Sequence, residues 1–190
     1  DGPLTIRDGK GEWSPRNIDH LHLGEVTVRR AIEESRNIPA VRLARQIGVE
    51  QVVATARHLG IASPLAAVPS LALGTSEVTL LEITSAYAAL ANGGYGVTPT
   101  ILAGAGAPAG TSVKEPVAAP VRVVSAESAF LITHLLRGVM REGTGRASVK
   151  WGVSEVSAGK TGSSDGVRDA WIIGYTPDLV VGLWVGRDDA

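Results

Sequence analysis

The 190 residues suffice for one domain with a real core, or for part of a larger domain cut short. Eighteen basic against 19 acidic residues leave a net charge of -1, which excludes a nucleic-acid footprint, and the absence of cysteine excludes disulfides and thiolate metal sites. No apolar run is long enough to cross a bilayer and no signal peptide is visible. The chain opens on Asp1-Gly2-Pro3 without an initiator methionine, which predicts a fragment or a processed product.

Leu4 to Leu23 reads as extended and irregular, with a turn at Asp8-Gly9-Lys10-Gly11 and no helix across Trp13-Ser14-Pro15. His20 and His22 are close together without a third ligand nearby, and read as surface or packing residues rather than a metal pair. Thr27 caps a short helix carrying Val28, Ala31 and Ile32. That helix ends at Ser35-Arg36-Asn37, and Pro39 suits the first turn of the next. Ala40, Leu43, Ala44 and Ile47 recur at helical spacing, Gly48 stops them, and a further helix runs from Val49 to Gly60. Ser35 and Asn37 therefore lie at a tight junction between helices. They either cap those helices or project two polar side chains into a cleft.

Ser70 to Gly74 is a short apolar run ending in glycine, and Thr79-Leu80-Leu81-Glu82 is a capping box. The helix it opens turns Leu80, Ile83, Tyr87, Leu90 and Ala91 to a core, and Asn92-Gly93-Gly94 ends it. Val97 to Leu102 reads as a strand interrupted by Pro99. Residues 103–120, mostly Ala, Gly, Pro and Val, predict a flexible surface loop. Ser125 caps a helix with a wide apolar face from Phe130 to Met140, both core candidates rather than a cofactor box. It stops near Gly143-Thr144-Gly145, and Trp151, Val153 and Val156 lead into a strand. Three strands then follow, joined by short turns at Ser164-Asp165-Gly166 and Pro177-Asp178, which makes them antiparallel neighbours. Helices first and an antiparallel meander last give an α+β architecture.

The stretch Ala158 to Ser164 has the features of a strand edge lining a cleft. Its glycines permit close backbone approach, and Lys160 and Thr161 would suit a carboxylate on a docked peptide. Lys160 could equally be a loop lysine between two glycines.

Ser35-Arg36-Asn37 and Lys160-Thr161-Gly162 together match two of the three motifs of serine penicillin-recognising enzymes. Ser70-Leu71-Ala72-Leu73-Gly74, Ala86 to Gly94, Arg141-Glu142-Gly143-Thr144-Gly145 and Arg168 to Asp178 extend the match. The whole chain, residues 1–190, resembles the C-terminal part of the transpeptidase domain of class A, bifunctional penicillin-binding proteins. The resemblance implies the penicillin-binding-protein and serine β-lactamase-like fold, an antiparallel sheet packed with helices, truncated on its N-terminal side. It also implies cross-linking of peptidoglycan stem peptides through an acyl-enzyme, and acylation by β-lactam antibiotics. By matching position, Ser35 would relay a proton to the leaving amine, and Asn37 would hold the acyl-side amide. Lys160 would supply positive potential and support Ser35. Thr161 would bind the terminal carboxylate, Gly162 would let the substrate lie close, and the Ser163 N–H would be an oxyanion donor.

One departure from the family pattern matters. The family's Ser-x-x-Lys nucleophile and base should precede Ser35, and residues 1–34 contain no such motif. The literal match Ser157-Ala158-Gly159-Lys160 is rejected, because on a strand residues three apart point to opposite faces. The expectation is a site wall whose nucleophile and general base are absent from this chain, so that the chain alone is inactive and its partner is the missing N-terminal part of the domain. The resemblance implies no metal or cofactor, no nucleic acid, and a place on the extracytoplasmic face of the bacterial inner membrane through an anchor absent from this chain. Two alternatives remain. One is a serine β-lactamase, against which stands the lack of a Glu-x-x-Leu-Asn pattern. The other is a non-catalytic relative that binds peptides or partners along the sheet edge.

Overall fold

The computed structural model describes residues 1–8, 11–100, 119–153, 156–164, 166 and 168–187. The expected loop at 103–120 lies almost wholly outside the described residues, as do Gly9, Lys10 and Asp165 of the two expected turns.

Strands β1 (Ile6–Asp8) and β2 (Gly11–Trp13) pair antiparallel, with Ile6 opposite Trp13. Helix α1 (Val28–Glu33) starts at Thr27, whose hydroxyl accepts the Arg30 N–H at 3.1 Å. Helix α2 (Asn37–Ile47) carries Pro39 in its first turn and stops at Gly48, whose φ of 92° suits glycine. Helix α3 (Val49–His58) follows at once. The run before Gly74 is a 3₁₀ helix, Pro69–Leu73, packed against α2. Helix α4 (Leu80–Ala91) opens with the expected capping box between Thr79 and Glu82. Helix α5 (Ala126–Arg141) is capped by Ser125.

Several expectations need correction. On α2 the buried stripe is Ile38, Val41 and Ala44, whereas Leu43 and Ile47 are exposed. On α5 the buried residues are Ala129, Leu136, Gly138, Val139 and Met140, and Phe130 is 70% exposed, stacked on His134. Periodicity finds an apolar face, but the neighbour decides which part of a wide face is covered. Residues 97–100 form no strand. Pro99 removes a ladder donor, and the pairing occurs earlier, where Tyr95 bridges Arg122 and Gly96 donates to the Val121 carbonyl. Arg146–Trp151 is a 3₁₀ helix ended by Gly152 at φ 84°, so the strand expected from Val153 begins only at Ala158.

The main sheet is antiparallel in the order β3 (Ala158–Ser163), β4 (Asp169–Tyr175), β5 (Val180–Gly186). Lys160 lies opposite Ile173, and Trp171 opposite Trp184. The β4–β5 turn closes at Pro177-Asp178, with Thr176 N–H donating to the Leu179 carbonyl at 2.8 Å. Helix α5 packs on β3 and α4 on β5. The core between them holds Leu136, Val139, Ala158 and Tyr175, flanked by Ile32, Tyr87, Leu90, Ala91 and Val180. The architecture is the expected α+β arrangement, helices on an antiparallel sheet. Small residues set the spacing. A side chain on Gly182 would strike the Thr84 hydroxyl of α4, and one on Gly159 would meet the Ile173 carbonyl and Met140 Sδ.

Candidate active site

The end of α1 creates the first half of the site. Arg36 N–H donates to the Ala31 carbonyl at 2.8 Å and Ser35 N–H to the Ile32 carbonyl at 3.1 Å. This pair of bonds is the Schellman ending of a helix, which places the donor of the inner bond in the left-handed region. Glycine usually takes that place. Here it is Ser35, at φ 54°. A side chain there costs about 1–2 kcal/mol, so the turn carries strain in return for presenting a hydroxyl from a fixed corner.

Arg36 is buried and anchors that corner. Its guanidinium reaches Asp1 Oδ2 at 2.9 Å, Asp19 Oδ2 at 2.6 Å and the Leu21 carbonyl at 2.6 Å. Its hydrogen bond to Asp19 is the main reason that carboxyl titrates below its ordinary value. Asn17, also buried, accepts the Asn37 and Ile38 N–H groups on Oδ1 at 3.0 and 3.3 Å, which caps α2 from a distance. Asn37 in turn donates from Nδ2 to the Arg16 carbonyl at 2.8 Å.

Strand β3 supplies the second half. Lys160 Nζ donates to Ser35 Oγ at 2.7 Å and to the Thr161 carbonyl at 3.0 Å. Burial pushes its ammonium below the ordinary lysine range, and among the described residues it has no ion-pair partner. Beyond it, Gly162 and Ser163 are exposed. Ser164 N–H donates to the Asp169 carbonyl at 3.1 Å. By antiparallel alternation, the N–H groups of Ser163 and Thr161 then face the other edge of β3, which no described strand occupies. Ser157 is buried just ahead of β3, so the Ser157-to-Lys160 spacing falls in strand context, not on a helix.

The structure thus brings Ser35 and Lys160 into contact, sets Thr161, Gly162 and Ser163 along the same strand, and places Asn37 two residues beyond Ser35 at the start of α2. Sequence reading missed three contributors. Arg36 and Asn17 carry no local signal, because their partners are set by the tertiary fold. Thr144 stood inside a recognised motif without a role, yet its Oγ1 lies 2.7 Å from Thr161 Oγ1 and its N–H donates to the Glu33 carbonyl at 3.1 Å. Its flanking glycines, a sign of close approach, were the available clue.

Residues 1–181 match the family described as "Penicillin binding protein transpeptidase domain". The chain is 37% identical over 213 residues to penicillin-binding protein 1A of Rickettsia typhi, a match covering 99% of this chain and 27% of that protein. It is 34% identical over 191 residues to penicillin-binding protein 1B of Vibrio cholerae, covering 100% of this chain and 25% of that one. The chain therefore spans about a quarter of the length of these relatives. The crystal structure of penicillin-binding protein 1A from Haemophilus influenzae superposes with a TM-score of 0.87 at 25% identity, over 100% of this chain and 34% of that one. Penicillin binding protein 3 from Mycobacterium tuberculosis, solved in complex with ampicillin, gives 0.75 at 25% identity, over 98% and 51%. On the family match across nearly its whole length, and on its likeness to proteins 1A and 1B, the chain belongs to the penicillin-binding protein transpeptidase family, in its class A branch.

Proposed function

We infer that residues 1–190 form one wall of a peptidoglycan D,D-transpeptidase site, the wall that holds and polarises a D-alanyl-D-alanine end. The observation that carries this reading is the Lys160–Ser35 hydrogen bond, which joins the family's second and third motifs at 2.7 Å. In the reaction a serine Oγ attacks the carbonyl carbon between the two D-alanines. The C–N bond breaks, and the departing amine takes a proton through Ser35. An amine of a neighbouring stem peptide then attacks the acyl ester, forms the cross-link and returns the proton to the serine. Lys160 keeps the Ser35 hydroxyl in place and lends positive potential beside the substrate carboxylate. Thr161 donates to that carboxylate, and the Ser163 N–H stabilises the oxyanion. Asn37 holds the acyl-side amide. This reading draws the nucleophile and its base from outside these residues, since residues 1–34 hold no Ser-x-x-Lys and the literal match at Ser157 runs into strand β3. The catalytic face would lie outside the cytoplasmic membrane, where the cell wall is assembled.

The test uses the full-length gene product and a fluorescent penicillin. One covalent label is expected, on a serine outside residues 1–190, with none formed by the 190-residue chain alone. A stoichiometric adduct on Ser35 or Ser157 would overturn the assignment. Fast turnover of a chromogenic cephalosporin by the full-length protein would instead favour a β-lactamase.

A further inference from the structure

Thr144 sits where the two halves of the site meet, and the backbone around it is built to bring it there. Helix α5 ends at Arg141, and Gly143 and Gly145 then donate back to the Gly138 and Val139 carbonyls. Gly143 lies so close to the end of α1 that a side chain on it would collide with the Glu33 carbonyl. A side chain on Gly138 would strike the Glu33 carboxylate, and one on Gly145 would meet Met140 Sδ. Only a glycine-lined path lets the chain run between α1 and β3. On that path Thr144 N–H donates to the Glu33 carbonyl at 3.1 Å, two residues before Ser35. Its hydroxyl meets that of Thr161, one residue after Lys160, at 2.7 Å. One residue thus ties the Ser35 corner by its backbone and the Lys160 strand by its side chain.

The hydroxyl pair has a chemical consequence. Each hydroxyl holds one proton. If Thr161 is to give its proton to an anionic ligand, its oxygen must accept the short bond from Thr144, so the chain runs Thr144 O–H to Thr161 O–H to carboxylate. Each bond in such a chain polarises the next. We propose that Thr144 is a positioning residue, which sets the direction of the Thr161 proton and so the recognition of the ligand carboxylate. This rests on the transpeptidase reading above.

The experiment compares a penicillin with its methyl ester, which lacks the anion, as acylating agents of the full-length gene product. Thr144→Val should slow acylation by the penicillin about 5- to 10-fold, the range expected for one hydrogen bond, and alter the ester reaction by less than about 2-fold. Thr144→Ser should restore the rate with the penicillin. In a Thr161→Val background, Thr144→Val should add nothing further. Equal losses with both compounds, or additive losses in the double variant, would overturn the proposal and leave Thr144 a packing residue. Acylation of the unaltered protein by neither compound would instead overturn the transpeptidase reading, and this inference with it.

Discussion

Lys160 Nζ and Ser35 Oγ stand 2.7 Å apart although 125 residues separate them in the chain. The lysine is half-buried with its charge unpaired among the described residues, and the serine occupies a left-handed corner that glycine would fill more cheaply. Each residue is held in a disfavoured state, and the bond between them is where both costs meet.

Ser35→Gly and Ser35→Ala both remove the hydroxyl, but they differ at φ 54°. The glycine variant should be more stable than the alanine variant by about 1 kcal/mol, because only Cβ is penalised there. Both should lose penicillin acylation by about 10²- to 10⁴-fold, as expected when a proton relay is removed. Denaturant midpoints and labelling rates separate the two effects. Retained labelling in both would show that Ser35 is a helix cap only.

Arg36 and Asp19 differ in depth. The Arg36 side chain is 5% exposed and that of Asp1 0%, whereas that of Asp19 is 39% exposed. Arg36→Met should cost about 3 kcal/mol, because it takes the guanidinium from the buried Asp1 carboxylate, though Asn17 Nδ2 and the Leu23 N–H still donate to it. Asp19→Asn should cost about 1 kcal/mol or less. Urea unfolding of the two variants checks the ranking, and equal costs would contradict it.

Gly143 and Gly162 make different demands. An added Cβ at Gly143 meets backbone of Glu33, while at Gly162 its nearest neighbour is Trp171 Cβ at 3.5 Å, an ordinary contact. Gly143→Ala should cost about 1–3 kcal/mol by forcing α5 from α1. Gly162→Ala should leave the unfolding midpoint nearly unchanged and, on the proposed docking of substrate along β3, slow acylation. Thermal melts and labelling rates of the pair decide.

Glu82 links α4 to the loop before it. Its carboxylate accepts from Ser63 Oγ at 2.6 Å, from the Ala62 and Ser63 N–H groups at 2.8 Å each, and from Thr79 N–H at 2.9 Å. The Ser63 hydroxyl is the largest of the influences that hold its pKa down to about 2. With the folded value below the unfolded one of about 4.3, its contribution is fully present above that pH and fades as pH falls toward 2. Glu82→Gln should therefore destabilise the protein at pH 7 and flatten this part of the acid-unfolding curve. An unchanged curve between pH 5 and 2 would count against it.

Much of the scaffold was legible locally. Thr27, Thr79 and Ser125 cap the helices as their residue types require, and Gly48 and Gly74 end the elements before them with positive φ. The short turn at Pro177-Asp178 made β4 and β5 antiparallel neighbours. Exposure was less legible. Phe130 and Leu43 share helical spacing with buried neighbours yet remain at the surface, because spacing does not say how wide the covering partner is.

The same division holds at the site. The amino-acid sequence by itself singled out the residues proposed for the site, since Ser35, Asn37 and Lys160 to Ser163 stand in two short motifs whose residue types suit a hydroxyl relay and a carboxylate. It also determined the helix–helix junction and the strand on which they sit. Only the tertiary structure decided that Lys160 meets Ser35, that Arg36 is buried between Asp1 and Asp19, and that Thr144 spans both halves. Those contacts join residues distant in the chain. They depend on how closely α1, α5 and β3 approach, and glycines lacking a Cβ set that distance by what they leave out.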